Sequence, residues 1–94
     1  MGQADDPIGL QQLRQARETS KPYWQIEDQA WAAYPREKAL NDQIKILEST
    51  DPDAAKLALR RYPRIVAIRK RIVQQKKMMR LRNPQVNEAL VWYR

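Results

Sequence analysis

The sequence predicts an all-α fold of four to six short, proline-delimited helices, arranged as a bundle or as a bent, extended chain. Three observations support this prediction. Glycine occurs only at positions 2 and 9, which leaves little room for glycine-dependent hairpins or phosphate-binding loops. Strong helix formers are abundant, and the alternation typical of strands is hard to find. Six prolines punctuate the chain, and three of them follow Asp or Asn, which are good N-cap residues.

The first two predicted helices cover residues 7–18 and 21–34. Asp6 and Ser20 are candidate N-caps for them, and a proline follows each within two positions. The second helix has an apolar side with helical spacing. Its members are Tyr23, Ile26, Ala30 and Ala33.

The next two predicted helices cover residues 35–49 and 52–62. In the first, Leu40, Ile44 and Leu47 fall at i, i+4 and i+7, which predicts one buried face. Asp51 precedes a proline and is the expected N-cap of the second. In that helix an apolar line is formed by Ala55, Leu59 and Tyr62.

The last two predicted helices cover residues 63–82 and 84–92, with Asn83 as the candidate N-cap between them. A narrow apolar stripe runs along the longer helix. Its members are Ile65, Ile68, Ile72 and Met79. Tyr34-Pro35 and Tyr62-Pro63 lack a capping side chain, so they indicate either new helix starts or kinks within longer helices.

Charge divides the chain sharply. We expect residues 1–94 to form one small helical domain with an acidic, aromatic half at 1–53 and a strongly basic half at 54–94. The first half holds six Lys or Arg against ten Asp or Glu, a net charge of −4, and the second holds twelve against one, a net of +11. Such asymmetry points to contact with nucleic acid or with a membrane surface.

The strongest functional signal is a basic run from residue 54 to residue 82, which carries eleven Lys or Arg and no carboxylate. A 20-residue helix is about 30 Å long, and duplex DNA carries one phosphate charge per ~1.7 Å, so a basic helix can meet several phosphates. Arg outnumbers Lys seven to four, which favours phosphate recognition. The predicted polyanion-binding residues are Arg60, Arg61, Arg64, Arg69, Lys70, Arg71, Lys76, Lys77, Arg80 and Arg82. A solvated helix face and an acidic protein surface are the alternatives.

Two aromatic groups are candidate protein contacts. Tyr23, Trp24, Trp31 and Tyr34 lie among carboxylates, which disfavours stacking of nucleic-acid bases and favours core packing or a protein interface. Trp92 and Tyr93 form an apolar end that we expect either to return to the core or to enter a partner's pocket. The predicted protein-interface residues are Trp24, Trp31, Trp92 and Tyr93.

The sequence offers little for catalysis. It has no Cys and no His, which excludes thiolate or imidazole metal ligands and His-based catalysis. Asp51 and Asp53 flank a proline at a predicted helix start, where capping explains them better than acid–base chemistry. We therefore expect no catalytic, cofactor or metal site. No apolar run approaches the ~20 residues of a membrane span, and the start of the sequence does not resemble a secretory signal, so we expect an intracellular protein.

These features predict a non-enzymatic structural or assembly subunit of a larger complex, whose partners are other protein subunits and the phosphate backbone of RNA or DNA. One alternative is a protein-only accessory subunit of a large complex, with membrane association left open, docking on acidic subunits or lipid headgroups. A second alternative is a small DNA-binding regulator. No helix-turn-helix pattern is visible, so we expect contacts mostly to phosphate rather than to bases.

Overall fold

The structure is a computed structural model that describes residues 7–92. These residues form five α-helices and no strand, which confirms the all-α prediction of four to six helices. The helices are α1 (Pro7–Ala32), α2 (Pro35–Thr50), α3 (Pro52–Arg61), α4 (Pro63–Arg82) and α5 (Pro84–Trp92). Every one of them begins at a proline.

The breaks between the later helices are short because proline restricts the residue before it. Tyr34, Asp51 and Tyr62 have φ between −148° and −122° and ψ between 68° and 81°, outside the helical region that a following proline disfavours. Backbone hydrogen bonds continue through these positions. The N–H of Asp51 donates to Leu47 O at 2.6 Å, and its own carbonyl accepts from Ala55 N at 3.1 Å. One residue thus closes α2 and opens α3. Tyr34-Pro35 and Tyr62-Pro63 are new helix starts rather than kinks.

Two predicted N-cap residues behave differently. Asp51 caps α3, since its Oδ1 accepts a hydrogen bond from the Ala54 N–H at 3.2 Å. Asn83 lies between α4 and α5 as expected, but its Nδ2 donates back to Met79 O at 3.1 Å, so its side chain closes α4. The predicted cap at Asp6 lies outside the described residues.

The predicted break near residue 20 is wrong, because α1 runs through it with Pro22 inside. Ser20 is fully buried and caps nothing; its hydroxyl donates to Arg17 O at 3.3 Å, one turn back. Hydrogen bonds of this kind, from Ser to a carbonyl one turn back, often bend helices. Buried residues lie on both sides of the proline, at Ala16 and at Trp31. An interior proline costs ~3 kcal/mol, so we infer that packing of these buried residues favours the continuous helix.

The chain forms two compact units, and helices α1 and α4 each contribute to both. The second unit is Glu27–Gln74, and the described part of the first comprises 7–26 and 75–92. By composition the second unit holds ten Lys or Arg against seven Asp or Glu, a net of +3, and the rest of the chain holds eight against four, a net of +4. The acidic and basic halves of the sequence are therefore mixed in both units.

The second unit has a small, mainly aliphatic core that also includes Trp31, which is 3% exposed. Ile65 is fully buried, and Ile68 and Ile72 are each 6% exposed, so the predicted stripe on α4 is buried over its first two turns and beyond. Helices α2 and α3 pack against each other. They contribute Ile44 and Ala55, each 3% exposed, to the buried residues of this unit.

The first unit buries smaller side chains. Its buried residues are Ala16 and Ser20 from α1 and Val86 and Ala89 from α5. Met79 of α4, predicted as the last member of the apolar stripe, is partly buried. Small side chains remove little apolar surface from water, so this unit gains less from burial than the second does.

Candidate polyanion-binding surface

Most of the cations between residues 54 and 82 project from α3 and α4 without a partner. Seven of the eleven are exposed, and their side chains make no hydrogen bond, ion pair or ring contact with any residue that the structure describes. They are Lys56, Arg60, Arg61, Lys70, Arg71, Lys77 and Arg82. Since no carboxylate lies between Asp53 and Glu88, none is available at helical spacing within α4. These cations have the exposure that a contact with an external anion requires.

Arg69 differs from its neighbours because it holds α4 to α2. Its Nε donates to Asn41 Oδ1 at 2.6 Å, and its two terminal nitrogens donate to the carboxylate of Glu48 at 3.2 and 3.1 Å. Asn41 is 3% exposed, so the arginine satisfies a buried acceptor. Lys could not form this contact, because it lacks the planar guanidinium group whose two nitrogens donate to the two carboxylate oxygens. Arg69, predicted to bind a polyanion, is a positioning residue in this arrangement.

Arg64 lies at the start of α4 with its guanidinium carbon 5.9 Å from the centre of the Tyr34 ring. This is a cation–π contact within the second unit, and it leaves the side chain exposed. Arg71 follows Arg64 by seven residues, which is two helical turns or about 10.5 Å along the axis. Helical spacing therefore places these two guanidinium groups on one side of α4.

In the first unit Lys76 contacts two aromatic rings. Its Nζ is 5.2 Å from the centre of the Tyr23 ring and 5.5 Å from that of Trp24. The two rings meet edge to face, with centroids 5.0 Å apart and planes at 88°. Lys76 is partly buried, so this predicted binding residue also joins α4 to α1 inside the first unit.

The last turn of α4 carries two arginines with different surroundings. Arg80 donates from Nε to Asn87 Oδ1 on α5 at 3.0 Å. The side chains of Arg82 and of Lys77, five residues earlier, are exposed and contact no described residue. Cations near a helix C-terminus interact favourably with the helix dipole, so Arg80 and Arg82 also stabilise α4.

The structure separates the predicted protein-interface aromatics. Trp31 is 3% exposed and Trp24 is 38% exposed, whereas Trp92 at the end of α5 is 54% exposed. Trp31 is thus a core side chain in the isolated protein, and the other two present apolar surface. Tyr93 lies outside the described residues.

An open groove of about 690 Å³ runs between α2 and α3 in the second unit. Its walls are mainly apolar, with Leu40 and Leu47 on one side and Leu57 on the other, and Tyr62 lies at the junction with α4. Arg60 and Arg61 also line it. Two of the predicted polyanion-binding residues therefore lie beside apolar side chains rather than on α4.

Sequence reasoning missed Asn41 and Glu48 as partners of Arg69. They lie seven residues apart, so α2 presents both on one face, two turns apart. That spacing was the available signal, but it becomes informative only when α4 is known to pack on the same face. The sequence did not predict the groove either, because its two walls belong to α2 and α3, whose apolar patterns do not show how the helices pack.

Residues 7–92 contain no cluster of metal ligands and no helix that could span a membrane. No group of three His, Cys, Asp or Glu side chains in that range is arranged to hold a metal ion. Among the same residues, every helix is too short or too polar to cross a bilayer. Comparison with known protein families, curated proteins and solved structures finds no significant match to this chain.

Proposed function

We propose that this protein is a non-enzymatic structural subunit of a larger assembly, in which exposed cations of α4 contact nucleic-acid phosphates. The observation that carries the proposal is the group of cations without internal partners described above. Surface cations are often only solvated, but the stretch from residue 54 to residue 82 contains eleven cations and no carboxylate, and seven of those side chains have no partner among the described residues.

The proposed phosphate-contacting group, here called the α4 cation set, contains four residues that are exposed and unpaired among the described residues. They are Lys70, Arg71, Lys77 and Arg82. Arg64 and Arg80 are secondary candidates, since each already makes one contact inside the protein. Arg69 supports the set by fixing α4 against α2.

A role within an assembly is supported by the apolar surface of the described chain. Ten large apolar side chains are more than a third exposed. Val73 and Leu81 lie on α4 itself and are 66% and 68% exposed, and Val91 on α5 is 70% exposed. Scattered exposed apolar residues are normal, but this many on a short chain favour neighbouring subunits that cover some of them.

A lone DNA-binding regulator is less well supported. A helix-turn-helix unit needs a turn of three or four residues between its helices. Helices α3 and α4, which carry the basic run, are joined by Tyr62 alone. Contacts to the phosphate backbone, which carry no sequence information, suit the exposed cations better than contacts to base edges.

The proposal is tested by fluorescence anisotropy with labelled single-stranded RNA and duplex DNA. One variant replaces the α4 cation set with Gln. The control variant removes the same charge from four other exposed cations, which are Arg14, Arg17, Lys21 and Arg36. We expect the first variant to bind both probes at least about tenfold more weakly than the control does.

Equal weakening in both variants would show that net charge alone attracts the probe and would refute the assigned surface. Absence of binding by the unaltered protein at physiological salt would instead favour a subunit that docks only on acidic protein or lipid headgroups.

A further inference from the structure

We propose that the groove between α2 and α3 is a docking site for an acidic amphipathic helix of a partner protein. None of the residues that line the groove belongs to the α4 cation set, so binding there does not depend on nucleic acid. Both walls of the groove lie within the second unit.

The apolar wall on α2 is long enough for two turns of a docked helix. Leu40 and Leu47 are partly exposed and lie seven residues apart, about 10.5 Å along the axis, while Ile44 between them is 3% exposed and belongs to the core. Helix-in-groove recognition uses anchors at this same spacing on the ligand. Leu57 on the opposite wall is 61% exposed and Tyr62 is 39% exposed, so apolar surface remains open to a ligand.

The charge of the groove selects an acidic ligand. Arg60 and Arg61 line it and have no ion pair with any described residue, and no Asp or Glu lines it. The nearby carboxylates are engaged elsewhere or lie off the groove. Asp42 pairs with Lys38, Glu48 pairs with Arg69, and Asp51 caps α3, while Glu37 and Asp53 are not among the lining residues.

A protein helix fits these walls better than a nucleic acid does. Binding of unpaired bases relies on aromatic faces, and the groove offers Tyr62 as its one aromatic residue beside aliphatic side chains. Leu or Ile side chains on a ligand helix would cover the aliphatic walls, and Asp or Glu beside them would meet the two arginines. Electrostatic complementarity of this kind sets partner choice and orientation.

The test uses a helical peptide of about 15 residues, long enough to fold on binding, with Leu at i, i+4 and i+7 and Glu beside them. A matched peptide carries Gln in place of each Glu. We expect the Glu peptide to bind about tenfold more tightly than the Gln peptide, which is the ratio that ~1.4 kcal/mol of charge complementarity gives. Equal affinity would refute the acidic partner.

Variants then locate the site. Leu57→Ala should weaken the Glu peptide about tenfold, and Val73→Ala, an equally exposed apolar truncation in the same unit outside the groove, should not. Arg60→Glu with Arg61→Glu should abolish the preference for Glu and create one for a Lys peptide. An unchanged preference would place the peptide elsewhere and overturn the proposal.

Measurements on the unaltered protein complete the test, so misfolding of a variant cannot decide it. Amide chemical shifts should change on α2 and α3 when the Glu peptide is added, and changes confined to other helices would contradict the proposal.

Sedimentation analysis should show that the protein is a monomer both without and with the peptide. A dimer that the peptide disrupts would show that a second copy of this chain is the occupant, and displacement of peptide by single-stranded RNA would show that the groove serves nucleic acid. Loss of RNA binding in the α4 cation set variant with peptide binding intact would separate the two proposals.

Discussion

Arg69 and Lys70 are neighbours in the sequence and have different roles in the structure. Arg69 bonds to a buried Asn41 and to Glu48, whereas Lys70 is exposed and contacts no described residue. The sequence presents them as two equivalent members of one basic run. Their difference depends on which face of α4 meets α2, and the partners lie 28 and 21 residues away along the chain.

We therefore expect Arg69→Ala to lower the free energy of unfolding by about 1–3 kcal/mol, because it leaves the Asn41 acceptor buried without its donor. Lys70→Ala should change it by no more than about 0.5 kcal/mol. Urea denaturation followed by circular dichroism measures both. Equal effects would mean that the Asn41 contact contributes nothing to stability.

The N-cap of α3 gives a second prediction at this scale. Asp51→Ala removes the acceptor of the Ala54 N–H and should cost about 1 kcal/mol of stability. Asp51→Ser keeps a capping oxygen and should restore most of the loss. If the Ser variant were as unstable as the Ala variant, the side-chain hydrogen bond would not be the cause. The sequence predicted this cap correctly because its donor and acceptor lie three residues apart, but the same local rule failed at Ser20, which is buried inside α1.

At the scale of single helices, the structure distinguishes isoleucines that look alike in the sequence. Ile65 is fully buried on α4, and Ile46 on α2 is 64% exposed. Ile65→Val should cost about 0.5–1.5 kcal/mol because it leaves a small cavity. The same change at Ile46 should be nearly neutral and serves as the control. Thermal unfolding of the two variants measures the difference, and similar shifts in Tm would contradict the assigned core.

Helix boundaries show what local rules can and cannot predict. An N-cap residue followed by proline predicted the starts of α3 and α5, whereas at Pro35 and Pro63 the sequence left a new start or a kink open, and α2 and α4 begin there. The same rule failed at Pro22, where α1 continues. Propensity is a weak prior, and the buried residues on either side of Pro22 show that packing decided this case.

At the scale of the whole molecule, the acidic and basic halves of the sequence do not correspond to the two compact units. Both units combine residues from the acidic and the basic halves, with net charges of +3 and +4. Helical composition was enough to predict the fold class. It was not enough to predict which cations pair internally or that a groove forms between α2 and α3, since both depend on long-range packing.

Contact between the α4 cation set and nucleic-acid phosphates is tested most directly by the salt dependence of nucleic-acid affinity. Each neutralised phosphate contributes about −0.7 to −0.9 to the slope of log affinity against log salt concentration, so four contacts contribute about −2.8 to −3.6. We expect the unaltered protein to show a slope at least this steep and the variant with Gln at the four positions to lose about that much of it. A variant whose slope equals that of the unaltered protein would contradict the account.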